Sequence, residues 1–153
     1  MASRSRSSGG STAADHEQDF YSWLVEQARL VRDGRWDDVD QANLARAIDA
    51  LAQEQFNRLA SEMHVLLTHL LKWDHPAIRR SRGRVQSVQV QRQAVIDVLD
   101  RNPGLKSRLP EAMAHCYRKA RAEAANDVGL DENSFPAKCP YEWDEIVARE
   151  FAI

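Results

Sequence analysis

Apolar residues recur every three or four positions along most of this chain, which is the spacing of one face of an α-helix. Five stretches keep that period, and they cover residues 20–31, 44–71, 85–99, 109–124 and 143–151. No stretch shows the sustained alternation of a half-buried strand, apart from a brief ambiguity at 85–90. The pattern therefore predicts an all-α fold, a bundle of about five main helices.

Helix-breaking residues follow the first four stretches, at Gly34, Pro76, Asn102-Pro103-Gly104 and Gly129. The second stretch contains no Gly or Pro before Pro76, so it predicts a long second helix at the centre of the bundle. Cys139-Pro140 precedes the last stretch, and we expect it at the start of that helix.

The first fourteen residues have no large apolar side chain after Met1 and are rich in Ser and Gly, which predicts a disordered tail at 1–14. The remaining residues, 15–153, are enough for a single helical domain with a hydrophobic core. The chain has only 2 Cys. We therefore expect no disulfide scaffold. We expect a cytoplasmic location. No apolar run approaches the roughly 18 residues of a membrane span, so no membrane is expected as a partner.

Several short runs of sequence, in this order, carry a family resemblance. They are DFYSW at 19–23, HLLKW at 69–73, RRSR at 79–82, YRKARAEAA at 117–125, VGL at 128–130 and FPAKCPYEW at 135–143. In this combination the chain resembles the bacterial domain-of-unknown-function family twenty-nine, over nearly all of the sequence from residue 19 to 151. The resemblance implies a helical intracellular protein and supplies no activity.

Charge is unevenly distributed, although the formal net charge is only -2. Residues 72–92 hold six basic residues and one acid, and residues 101–121 hold the same numbers, whereas both flanks of this middle region are acidic. We expect a basic surface near the junction of the second and third helices, formed by Lys72, Arg79, Arg80, Arg82, Arg84, Arg118 and Arg121. Guanidinium groups bind phosphate or carboxylate in a bidentate manner. The alternative is that basic and acidic helices neutralise each other across the bundle.

Two side chains are candidates for chemistry. Cys139, at the expected helix start, would have its thiolate stabilised by free backbone N–H groups, unless it is a buried structural thiol. His69 stands four residues before Trp73, and it is either a hydrogen-bonded interior residue or a general acid–base. Trp73 itself is a core residue or a surface on which bases stack. His64 and His69 do not share a helix face, and no metal or nucleotide motif is present, so neither a metal nor a cofactor is expected.

The aromatic residues are mostly core anchors, but Tyr21 and Trp36 lie off the apolar stripes and could instead mark a partner surface. Taken together, the sequence favours a non-enzymatic binding or regulatory module whose Arg-rich surface holds a protein partner or an acidic polymer, nucleic acid included. Two alternatives remain open. One is an enzyme acting on phosphodiester or nucleotide substrates, with His69 or His75 as general acid–base. The other is a thiol-based sensor using Cys139. The oligomeric state is left open.

Overall fold

A computed structural model describes residues 16–152, and every regular element in them is helical. Helix α1 spans Phe20–Arg32, α2 spans Gln41–Asp74, α3 spans Arg82–Arg101, α4 spans Leu109–Val128 and α5 spans Trp143–Ala148. Short 3₁₀ helices lie at Trp36–Asp38, Pro103–Arg108 and Glu132–Ser134. The predicted all-α fold, with a long second helix, is confirmed. The predicted tail at 1–14 lies outside the described residues.

The chain divides into two compact units between Ala52 and Gln53, within α2. The first unit is built around α1, which begins where Asp19 Oδ1 accepts a hydrogen bond from the Ser22 backbone N–H at 3.0 Å. Trp23 and Gln27 are buried on one face of this helix. Gln27 Oε1 accepts the Asp40 backbone N–H at 2.8 Å, which ties the start of α2 to α1. That residues 15–153 act as one domain stays a prediction.

The second unit contains one continuous hydrophobic core. Its centre is the apolar stripe of α2, whose fully inaccessible side chains are Leu59, Met63, Leu66, Leu67 and Leu70. Helix α3 adds Val88 and Val95, and α4 adds Ala112, Ala120 and Ala124, all equally inaccessible. The small residues of α4 belong to this tightly packed core, where deleting or adding a single methylene is felt.

Capping residues fix the ends of the helices that border the candidate site. Ser81 has extended backbone angles and its hydroxyl accepts the Arg84 backbone N–H at 3.3 Å, so α3 begins directly after it. Gly129 follows α4 with a φ of +66°, a left-handed conformation that glycine adopts without steric cost. Ser81 therefore sets where α3 begins, and Gly129 sets where the connector after α4 begins.

The last helix begins later than the sequence predicted. Cys139-Pro140 was expected at its start, but α5 begins at Trp143, after Glu142 as the N-cap. A residue before proline is driven towards extended conformations, and Pro136 and Pro140 both lie in this connector. Residues 135–142 therefore have no helical structure.

Candidate arginine surface and pocket

Four arginines lie between the end of α2 and the end of the first turn of α3. We call Arg79, Arg80, Arg82 and Arg84 the arginine segment. The first three are exposed and Arg84 is half-buried. Within the described part of the chain, none of the four side chains makes a hydrogen bond or an ion pair. Arg80 alone has a defined contact, with its guanidinium carbon 5.0 Å from the centre of the Trp73 ring.

The start of α3 is electrostatically unusual. Its first turn contains no acidic residue, and Arg82 and Arg84 both lie there. The N-terminal end of a helix carries partial positive charge, so cations are unfavourable at this position and anions are favourable. The sequence therefore places positive charge where it opposes the local stability of the helix.

Three other residues of the predicted basic surface have different environments. Lys72 Nζ lies 2.6 Å from Asp127 Oδ2, and Arg121 Nη1 lies 3.2 Å from Glu132 Oε1. Only 12% of the Lys72 side chain and 14% of the Arg121 side chain are exposed, so both charges serve internal ion pairs. Arg118 is exposed on α4 and has no partner among the described residues.

Trp73 is an internal packing residue. Only 3% of it is exposed, and its ring meets Phe151 edge-on with centroids 5.7 Å apart. With Arg80 also over the ring, Trp73 offers no free face on which a base could stack. Trp73 is thus a core residue that also contacts one guanidinium of the arginine segment.

His69 lies half-buried on α2, beside the start of α3. It lines a shallow pocket of about 310 Å³ together with Gly83 and Ser87. Burial lowers the pKa of His69, and the positive charges of Lys72 and Arg84 lower it further. The arrangement therefore favours a neutral imidazole next to two cations.

Both cysteines are free thiols. Burial raises the pKa of Cys139, whose Sγ lies 3.8 Å from the Tyr141 carbonyl oxygen, and burial raises the pKa of Cys116 to about 12. Cys139 precedes the N-cap of α5 by three positions, so it lies outside the first turn that was expected to stabilise its thiolate.

One cavity among the described residues was not predicted from the sequence. It has a volume of about 470 Å³ and lies between the end of α2, the connector after α4, and α5; we call it the C-terminal pocket. Its apolar walls include Leu71, Phe135 and Ile146, all buried, with Pro76 and Pro140 also lining it. Pockets of roughly 300–1,000 Å³ with mainly apolar walls are the usual form of ligand sites.

A three-residue polar network forms one side of this pocket. Asp74 accepts hydrogen bonds from the Tyr141 hydroxyl at 3.0 Å and from Arg149 Nη1 at 2.8 Å, and Arg149 Nη2 also contacts its second oxygen. Burial and the negative charge of Asp74 both raise the pKa of Tyr141. The charge of Asp74 is thus already compensated within the network.

Glu145 is the remaining acid of the pocket. It is exposed, and its carboxylate has no partner among the described residues. The pocket therefore presents apolar walls and a free carboxylate acceptor. The family runs at 69–73 and 135–143 both contribute residues to this pocket, but they do not reveal its polar network, because Asp74 and Arg149 stand 75 positions apart.

Residues 16–152 contain neither a metal-binding cluster nor a membrane-spanning helix. No group of three or more His, Cys, Asp and Glu side chains is arranged to hold a metal ion there. None of the helices in that range combines the length and the apolar character needed to cross a membrane.

Comparison with known proteins identifies a family. The model of a family described as "Domain of unknown function DUF29" matches residues 16–152, which is nearly the whole chain. No curated protein and no solved structure matches the sequence.

Proposed function

The chain belongs to the DUF29 family, whose description names no activity, and we propose on physical grounds that it is a non-enzymatic binding module that holds an anionic partner on the arginine segment. The observation that carries the proposal is the contrast among its basic residues. Lys72 and Arg121 are neutralised by internal acids, whereas the arginine segment has no acid paired with it in the described chain.

The position of these arginines supports the same function. Arg82 and Arg84 lie in the first turn of α3, where positive charge costs stability. Natural sequences break local rules of this kind mainly at functional sites. An anion bound there would meet both the guanidinium groups and the free N–H groups of the helix start.

The rest of the chain limits the size of the anion. The total charge is -2, and both flanks of the basic middle region are acidic. A long polyanion would therefore meet repulsion beyond the arginine segment, while a short anionic stretch would meet only the arginines. This favours a carboxylate-bearing protein segment over an extended nucleic acid.

Charge reversal with a matched control tests the proposal. Arg79→Glu/Arg82→Glu/Arg84→Glu changes three arginines of the segment, and Arg101→Glu/Lys106→Glu/Lys119→Glu makes the same charge change at exposed sites elsewhere. Fluorescence anisotropy at low salt would follow a labelled peptide of glutamate and aspartate and, separately, a labelled single-stranded oligouridine.

We expect the peptide to bind the unaltered chain and the control, and binding to the segment variant to be about tenfold weaker or more. Equal losses in both variants, or no binding of either probe to the unaltered chain, would overturn the proposal. Binding of oligouridine alone would assign the segment to nucleic acid instead of protein.

One observation favours a second candidate function, an enzyme of phosphodiester or nucleotide chemistry. His69 has Arg84 nearby and its lowered pKa keeps a neutral imidazole available as a general base. Turnover of a small RNA or nucleotide that disappears in His69→Ala, with helical circular dichroism retained, is the result this candidate requires. Equal turnover in His69→Ala would remove His69 from it.

A further inference from the structure

The C-terminal pocket and the arginine segment are adjacent along the chain. Pro76 lines the pocket, and Arg79 follows three residues later, a span of at most about 11 Å. A turn in which the Ile78 backbone N–H donates to the His75 carbonyl at 3.1 Å shortens this span further. If one group of a ligand occupied the pocket, the adjoining parts of the same ligand would therefore lie within reach of the arginine side chains.

Ring contacts also connect the two sites. Arg80 lies over Trp73, Trp73 meets Phe151, and Arg149 of the pocket lies 5.0 Å from the Phe151 ring centre. The guanidinium of Arg80 is thus positioned relative to the pocket through packed aromatic side chains. The pocket and the arginine segment are therefore linked through buried rings as well as along the chain.

The chemistry of the pocket specifies its occupant. Its apolar walls require an apolar body, and Glu145 supplies a free hydrogen-bond acceptor. An indole matches both, because it is a large apolar ring with a single N–H donor that needs a partner when buried. A phosphate-bearing group fits less well, because the carboxylate of Glu145 would repel it.

The chain itself carries a segment with these properties. Trp36 is 59% exposed in the 3₁₀ segment Trp36–Asp38, and Asp37 and Asp38 follow it directly. Asp37 has no partner in the described chain, and Asp38 pairs only with its neighbour Arg35. The 3₁₀ turn fixes the backbone of Trp36, which lowers the entropic cost of ordering this segment on binding.

Resting on the proposed function, we infer that a second copy of this chain is the anionic partner: Trp36 of one copy enters the C-terminal pocket of the other, and Asp37 and Asp38 meet its arginine segment. The indole N–H donates to Glu145. Asp37 supplies a free carboxylate for the guanidinium groups, and Asp38, which keeps its pair with Arg35, adds its second oxygen. A reciprocal exchange of Trp36 between two copies gives a closed dimer with two such contacts.

The oligomeric state of the full chain tests this inference. Light scattering and sedimentation at several concentrations and salt strengths would compare the unaltered chain with Trp36→Ala, with Glu145→Ala, and with Ser134→Trp, which fills the pocket from an exposed lining position. Two matched controls are Tyr21→Ala, which removes a more exposed aromatic, and Asp144→Ala, which removes the acid beside Glu145.

We expect a dimer that weakens with salt, and a dimer dissociation constant raised about tenfold or more by Trp36→Ala and Ser134→Trp but not by Tyr21→Ala. Glu145→Ala is expected to weaken the dimer and Asp144→Ala to leave it intact. Mixing Trp36→Ala with Ser134→Trp restores one of the two contacts. The mixture should therefore form a heterodimer at concentrations where each variant alone is a monomer.

A monomer at all concentrations, or a dimer indifferent to Trp36→Ala, would overturn the inference. The proposed function is measured separately, by binding of the acidic peptide to Trp36→Ala. If that variant binds the peptide through the arginine segment, the segment holds an anionic partner whether or not the dimer exists. If no acidic peptide binds and no dimer forms, both proposals fail.

Discussion

Arg149 and Asp74 join the end of the chain to the end of α2 across 75 positions, through two guanidinium–carboxylate contacts. About a third of each side chain is exposed, at 35% and 32%, so the pair is partly protected from solvent. Arg149 also lies over the Phe151 ring. This pair fixes the segment that follows α5 against the C-terminal pocket.

We predict that Arg149→Ala lowers the free energy of unfolding by about 1–2 kcal/mol, because it removes charge-assisted hydrogen bonds from a carboxylate that is only partly exposed. Urea unfolding measures this loss. A double-mutant cycle with Asp74→Ala should give a coupling of about 1 kcal/mol, whereas the exposed pair Arg29–Glu26 should give less than about 0.5 kcal/mol. Equal coupling in the two pairs would show that partial burial adds nothing here.

Arg92 performs a related function for α5. Its Nη1 donates to the carbonyl oxygens of Ile146 at 3.1 Å and Arg149 at 2.8 Å, which lie at the end of that six-residue helix. Arginine side chains commonly satisfy the unpaired carbonyls at a helix C-terminus. Without this contact such a short helix has little support of its own.

We therefore predict that Arg92→Ala makes the backbone amides of residues 143–151 exchange with solvent about tenfold faster or more, corresponding to about 1.4 kcal/mol or more of local stability. Hydrogen exchange followed by mass spectrometry or NMR measures this directly. Arg118→Ala, at an exposed site of α4 without a partner among the described residues, is the control. Unchanged protection of residues 143–151 in Arg92→Ala would contradict the prediction.

The helices were predictable because burial repeats along each of them. The stripe from Leu59 to Leu70 is inaccessible at the spacing that the sequence shows, and Gly129 takes the left-handed conformation expected after a helix. The predicted start of α5 was wrong because the pattern of apolar residues does not reveal the extended connector before this helix, which is imposed by the prolines of the connector. The spacing of apolar residues therefore predicts the buried face of a helix more accurately than it predicts the residue at which the helix begins.

The candidate site was predictable only where it is contiguous. The arginine segment is visible as a run of charges, whereas the pairing of Lys72 with Asp127 joins residues 55 positions apart. The C-terminal pocket likewise gathers Asp74, Tyr141 and Arg149 from distant parts of the chain. Which residues meet in space depends on how helices pack, and a single sequence does not record that.

Reversing one charge at the start of α3 should stabilise the protein while weakening its binding. Arg82 lies in the first turn of this helix, so we predict that Arg82→Glu raises the free energy of unfolding by about 0.5 kcal/mol. Arg101 lies in the last turn of the same helix, and Arg101→Glu should lower it by a similar amount. Urea unfolding measures the free energy of unfolding of both variants. A loss of stability in Arg82→Glu would contradict the prediction and show that Arg82 has a structural contact.

The two thiols should react slowly in the folded protein. Burial raises the pKa of Cys116 to about 12 and raises the pKa of Cys139 in the same direction, so little of either thiolate exists near neutral pH. We predict that iodoacetamide modifies Cys116 only on unfolding and Cys139 about tenfold more slowly than in the unfolded chain. Peptide mass spectrometry over time measures both. Rapid modification of Cys139 at neutral pH would contradict this prediction and favour the thiol-sensor alternative.

His69 should make stability depend on pH. Burial, Lys72 and Arg84 lower its pKa in the folded chain below the ordinary value of 6.5, and the opposing charges of Asp127 and Glu123 do not cancel the effect. On acidification the unfolded chain takes up the proton first. The free energy of unfolding should therefore fall as the pH decreases through 6.5, and this contribution should level off below the pKa of the folded state.

We predict that His69→Gln, which removes the titrating group, makes the curve of unfolding free energy against pH flatter between about pH 7 and 5. Urea unfolding at closely spaced pH values provides the curve, and far-UV circular dichroism confirms that the variant keeps its helices. An unchanged slope would assign the pH dependence to other groups. A steeper loss of stability on acidification in the variant would mean that the folded environment of His69 favours the imidazolium, opposite to the effect of its burial and its two cationic neighbours.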